Sequence, residues 1–242
     1  MANMNTDFTE LENAAKCANS LKDLFDIWRK AHNSEPDYEK SLPKGIGSVE
    51  GNEFKSSFCP DGITSLIGKI SKIETLDNTA KALFIQKESN LTGHLAESNG
   101  EKIFWFNDCP CDARRKYYAS RMKHVFEARY ADWAPDNPIG YMNLNKRGGT
   151  STTDPKRLVS YISRYRWFIL REIELISPET IFLCGCYSQF LVGIKDCADV
   201  YLEQQSNRLI ISPSVMPTLV YLYHLSYRGF YRKVNGASWV IK

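Results

Sequence analysis

A chain of 242 residues, 43% of them hydrophobic, is long enough to bury a sizeable core and is expected to form one domain over residues 1–242. A net charge of +3 and a pI near 8.4 are too mild for composition alone to mark a nucleic-acid binder; no apolar run reaches membrane-spanning length. The polar start MANMNTDFTELENAAK lacks a secretory apolar stretch, so the expectation is a soluble, cytoplasmic monomer with no membrane partner.

The seven cysteines, an odd and scattered set, do not make a disulfide framework and are expected as free thiols. Cys109 and Cys111, like Cys184 and Cys186, are spaced C-x-C rather than C-x-x-C, with no histidine at finger spacing. Neither a metal nor a cofactor is expected from such spacings.

From about Asp7 to His32, Leu21, Leu24, Phe25 and Trp28 recur at helical intervals and predict one N-terminal helix. Glu35 to Ser57, broken by Pro36, Pro43, Gly45, Gly47 and Gly51, reads as a wrapping loop, so residues 1–57 are expected to lie on a core formed by 58–242. FCPDGITSLIGKIS turns at Pro60, Asp61 and Gly62 before the first strand. That strand, Ala82 to Ile85 in KALFIQKESN, is a short apolar run that breaks abruptly into the polar residues Gln86 to Asn90.

After a loop, KIFWFND sets Phe104, Trp105 and Phe106 in a row, as core or as a stacking platform. Asp112 to about Trp133 is helical and rich in arginine and aromatics. GYMNLNK, Gly140 to Lys146, is the second strand and also ends polar. Thr152, Thr153 and Asp154 before Pro155 open a long helix to about Ile176, striped by Leu158, Ile162, Tyr165, Ile169 and Ile173. Ser177-Pro178 stops it before the strand Thr180 to Gly185, which leads into a helix, CYSQFLVGI. Arg208 to Pro213 is a shorter strand, and Thr218 to His224 is a core strand that delivers His224 and Ser226; Tyr227 to Val234 reads as a closing helix. Strands alternating with helices imply a mostly parallel sheet covered on both faces.

In a parallel sheet the polar strand ends lie on one edge, which gathers Glu88 and Asn90, Asn143 and Lys146, and His224 and Ser226. A carboxylate orients water or balances a cation, an amide reads a donor and acceptor pair on a planar ring, and a histidine holds a developing anion. That inventory suits cleavage of a bond to a nucleobase.

The order LFIQKESN, YMNLNK, ELISPETIFLCG and YLYHLS resembles the uracil-DNA glycosylase superfamily. It is most similar to bacterial branches in which an FxxDGI-like segment, here FCPDGI, precedes a strand ending in Lys-Glu-Ser-Asn. The resemblance runs from about Phe58 to Lys233 and implies a three-layer αβα sandwich around a four-stranded parallel sheet. It further implies hydrolysis of the N-glycosidic bond of uracil or another damaged base in DNA, single- or double-stranded, with the base flipped out of the stack.

Glu88 and His224 would then be catalytic; Asn143, Gln86, Asn90 and Phe106 would hold the base; Ser89, Lys146, Arg147, Ser226 and Arg228 would grip the DNA backbone. The chain departs from the pattern where Gln86 replaces a glycine, where Lys87 rather than Glu88 takes the acid's place in a gapless reading, and where Leu225 replaces a proline. The four-cysteine spacing of the iron-sulfur branches is absent. A catalytically inactive nucleic-acid or nucleobase binding module of the same fold is the alternative. A third reading is an unrelated nucleotide-handling α/β enzyme, although the sequence has neither G-x-G-x-x-G nor G-x-x-x-x-G-K-[ST].

Overall fold

The computed structural model describes residues 7–35, 58–64, 79–90, 112–130, 137–149, 152–197 and 200–225. A seven-stranded, mostly parallel sheet organises them, built from β1 (Gly62–Thr64), β2 (Ala82–Asn90), β3 (Ile139–Gly149), β4 (Thr180–Cys184), β5 (Tyr201–Glu203), β6 (Arg208–Ile210) and β7 (Thr218–Leu222). The helices are α1 (Phe8–Lys16), α2 (Leu21–Ser34), α3 (Asp112–Arg129), α4 (Pro155–Arg164), α5 (Arg166–Ile176) and α6 (Tyr187–Ile194).

The strand order is β1-β3-β2-β4-β7-β6-β5. β3, β2, β4 and β7 run parallel, while β1 flanks β3 and the β6-β5 pair flanks β7, all antiparallel. The four expected parallel strands are therefore the centre of a wider sheet. β1 and β5 are three residues each, too short to carry a periodic signal, and escape sequence reading.

Alternation along the strands divides the core in two. Leu83, Ile85, Met142, Leu144, Ile181 and Leu183 face a large core that includes side chains of α1, α2, α4, α5 and α6. Ala82, Phe84, Tyr141, Phe182, Val220 and Leu222 face Tyr118, Met122, Val125 and Phe126 of α3. Helices on both faces make this an α/β sandwich, and the period of two places neighbouring strand residues on opposite faces.

Several local differences follow from capping and pairing. The N-terminal helix is two helices, because Ser20 accepts from the backbone of Asp23 at 3.1 Å and starts α2 anew. The long crossover helix opens as expected, with Asp154 accepting from the backbones of Lys156 and Arg157 ahead of Pro155, but it breaks at Tyr165. There the fully buried tyrosine ring packs on Trp28 and His32 of α2, and the apolar stripe runs through the break without marking it.

β2 does not end at Ile85: its polar tail continues as strand, with Gln86 opposite Asn143 and Glu88 opposite Asn145. Pairing with β3 satisfies that backbone beyond the last β4 partner, Leu183 opposite Ile85. The expected closing helix, Tyr227 to Val234, lies outside the described residues.

Candidate functional site

The chain crosses from β2 to β3 on one side and from β3 over β2 to β4 on the other, so the sheet has its topological switch between β2 and β4. Ligands of open α/β sheets bind at the carboxyl ends of the strands at such a point. Gly185 turns the chain there with φ +71° and donates its N–H to Leu222 O at 2.7 Å. A side chain at this position would meet the Cβ of His224 at 3.2 Å, so only glycine lets the end of β4 approach His224 this closely. Cys186 follows, its thiol 3.5 Å from Ile85 O and burial pushing its pKa up to about 12.

Four of the expected site residues lie at or beyond the level where β4 ends, two of them in mid-strand because β2 and β3 run on past it. Glu88 Oε2 accepts from Asn145 Nδ2 at 2.9 Å, which fixes the carboxylate against β3. Gln86 is 2% exposed. Asn143 is held by Asp61, whose Oδ2 accepts its backbone N–H at 2.6 Å and whose Oδ1 accepts its Nδ2 at 3.1 Å. His224 stands past the end of β7, its ring edge-on to Tyr118 of α3 with centroids 6.4 Å apart. Gln86 and Asn143 are register neighbours; the strand of Asn143 and the one that His224 follows are separated by β2 and β4.

Burial lowers the His224 pKa to about 4, and the charges of Lys87 and Arg121 act in the same direction, so its imidazole is neutral at pH 7. Arg121, itself buried, hydrogen-bonds through Nη1 to Leu225 O and lies over the Tyr117 ring at 3.9 Å. α3 is thereby tied to the segment that carries His224. In the sequence Arg121 is one basic residue of an arginine-rich helix, because its partner lies 104 residues away.

Lys146 and Arg147, expected on the DNA backbone, are 0% and 1% exposed and serve the interior instead. Lys146 Nζ pairs with Asp61 and with Glu172 of α5, the latter at 2.8 Å, beneath the rings of Phe25 and Trp28. Arg147 donates through Nη2 to His32 O at 3.0 Å and to the Tyr165 hydroxyl at 3.3 Å. These placements leave neither cation reaching outward to a phosphate. The reason is tertiary: β3 continues beneath α2, so its polar tail is roofed by the N-terminal layer that the sequence placed only vaguely.

Burial raises the Asp61 pKa, an effect that Lys146 and Asn143 oppose. Burial likewise lifts Glu172 to about 8 against the pull of Lys146. On Lys146 burial acts downward, but Asp61 and Glu172 outweigh it and raise its pKa. Lys146 is thus held between two buried carboxyls, Asp61 and Glu172, both of which burial pushes toward the protonated form. Asp61 was legible only as a turn residue in FCPDGI; its function as the brace of Asn143 needs β1 and β3 side by side.

Ser89 and Asn90 lie on β2, with only their backbones described, and Phe106, Ser226 and Arg228 lie outside the described residues. A cleft of about 810 Å³, whose lining includes Arg129, Tyr130, Glu179 and Arg208, opens at the opposite end of the sheet, where Thr180 and Thr218 begin β4 and β7. It is remote from Gln86, Asn143 and His224.

Among the described residues no helix is long and apolar enough to cross a membrane, and no cluster of three metal-ligating side chains occurs. Compared with known proteins, the chain matches no family model, and no curated protein matches it.

Proposed function

We propose that the protein is a DNA glycosylase-like hydrolase that cleaves the N-glycosidic bond of uracil or another altered base. The observation that carries this reading is the common carboxyl edge of parallel strands on which Glu88, Asn143 and a neutral His224 stand. His224 follows the end of β7, three strand spacings from β3, about 14 Å, a span that both side chains and a flat ring between them would bridge.

The target nucleotide leaves the stack, since its glycosidic bond is out of reach inside a duplex. Asn143, its amide oriented by Asp61, reads the edge of the base. As the bond from C1′ to the base nitrogen breaks, its electron pair goes to the base and positive charge grows on the sugar. Glu88 stabilises that charge, positions the water that adds to C1′ and takes the proton which that water loses, and the proton is then passed to the base anion. His224 donates a hydrogen bond to the departing base; a neutral imidazole does this without a proton to compete with the leaving group's own.

The hold of Asn145 on Glu88 also favours a second reading, a base-binding module without catalysis, because a carboxylate already engaged is a weaker base toward water. A panel of oligonucleotides carrying uracil, hypoxanthine or xanthine, scored for alkali-labile abasic sites, separates the two. Strand breaks after alkali at one of these bases support hydrolysis; salt-dependent binding with intact strands leaves only the module.

A further inference from the structure

Gln86 is buried to 2% exposure in the middle of the central strand β2, at the level where the neighbouring β4 ends, and among the described residues neither its Oε1 nor its Nε2 has a hydrogen-bond partner. Its neighbours explain neither atom. A neighbour near the amide is the Cys184 sulfur, which donates its S–H to Phe182 O at 3.5 Å and offers Nε2 no more than a weak acceptor; Oε1 gains nothing from it. Asn143, its register partner, spends its Nδ2 on Asp61. Alternation along β2 puts Gln86 on the face of Phe84, the face covered by α3, from which Arg121 and Tyr118 reach toward His224.

A buried amide with both ends unmet is costly to the folded protein, and a methionine of similar length would cost nothing of the kind. Such a group is found where a ligand completes it.

We infer that Gln86 binds the edge of a neutral planar heterocycle that carries a hydrogen-bond donor beside an acceptor, the pair presented by uracil, cytosine and adenine. The inference rests on the base-excision reading for the place of that ring, and it adds which edge chemistry is taken there. Among the described residues no hydrogen bond pins the Gln86 amide, so it turns to match either order of donor and acceptor. Gln86 therefore accepts the class, and discrimination within it falls to Asn143, whose amide Asp61 locks. A ring whose donors are blocked by methyl groups has no partner for Oε1 and is rejected.

The test is Gln86→Met, measured for thermal stability and for binding of free uracil, cytosine and uracil methylated at both ring nitrogens, by calorimetry or NMR titration on the full chain. The expected result is a variant with a higher Tm than the parent and an affinity for uracil and cytosine lower by about tenfold or more. The methylated uracil binds neither form. A lower Tm in the variant would show that Gln86 has a structural partner and would overturn the inference, as would equal binding of the methylated ring or unchanged uracil affinity. Base binding that depends on Gln86 without abasic product removes the hydrolytic reading and leaves this one standing. Abasic product that forms equally well in Gln86→Met does the reverse.

Discussion

The carboxylate of Asp61 grips Asn143 twice, by the backbone N–H at 2.6 Å and by the side-chain Nδ2 at 3.1 Å, while also pairing with the ammonium of Lys146. One buried acid thus continues the β1-β3 ladder past its last strand pair, orients an amide and neutralises a cation. Asp61→Asn keeps the shape but turns a donor toward donors. The expected loss is about 3–5 kcal/mol in urea unfolding, as for a broken buried ion pair. A loss below about 1 kcal/mol, the range of exposed pairs, would mean that the grip contributes little.

Glu172 and Lys146 extend the same group beneath α2. Burial raises Glu172 to about 8 from an ordinary 4.5, so the folded state holds its proton more tightly than the unfolded chain does. Its contribution is fully present below about pH 4.5 and is lost as the pH rises through about 8. Glu172→Gln, a mimic of the protonated form, should match the parent in stability at acid pH and lose less of it between pH 5 and pH 9 (roughly the span of both pKa values). Parallel decline of the two proteins over that range contradicts the assignment.

His224 carries the opposite sign. Its pKa, about 4 against an ordinary 6.5, makes the unfolded chain the better proton acceptor, so stability falls as pH drops through that window and the residue contributes no pH dependence above it. The full effect is about 3 kcal/mol. Lys87 on β2 and Arg121 on α3 are the cations acting on it, with Tyr118 edge-on to the ring. His224→Gln cannot titrate, so its urea midpoint should shift less than the parent's when the pH is lowered from neutrality to about 4.5. An unchanged acid sensitivity would place the cause elsewhere.

The parallel centre of the sheet was readable because ALFI, TIFLC and TLVYL are compact apolar runs bounded by polar residues or turns, and such runs need no tertiary information to be recognised. The polar tail of β2 was not, since Gln86 to Asn90 look like loop until β3 lies beside them and Asn145 meets Glu88. The same limit applies to charge. A lysine and an arginine after a strand read as solvent-facing cations, but Lys146 is engaged by partners 85 and 26 residues away, and no local pattern announces a roof of Phe25 and Trp28. Asp61 stands in the FCPDGI turn, yet its hold on Asn143 depends on register between strands that sequence alone does not give.

Single-turnover cleavage of a uracil-containing single strand by the parent and by Glu88→Gln tests the proposed chemistry most directly. The account predicts abasic product from the parent and a rate lower by about a hundredfold or more in the variant, with DNA affinity little changed. Equal rates would remove Glu88 from the reaction, and no product from either protein on any base of the panel would remove the reaction itself.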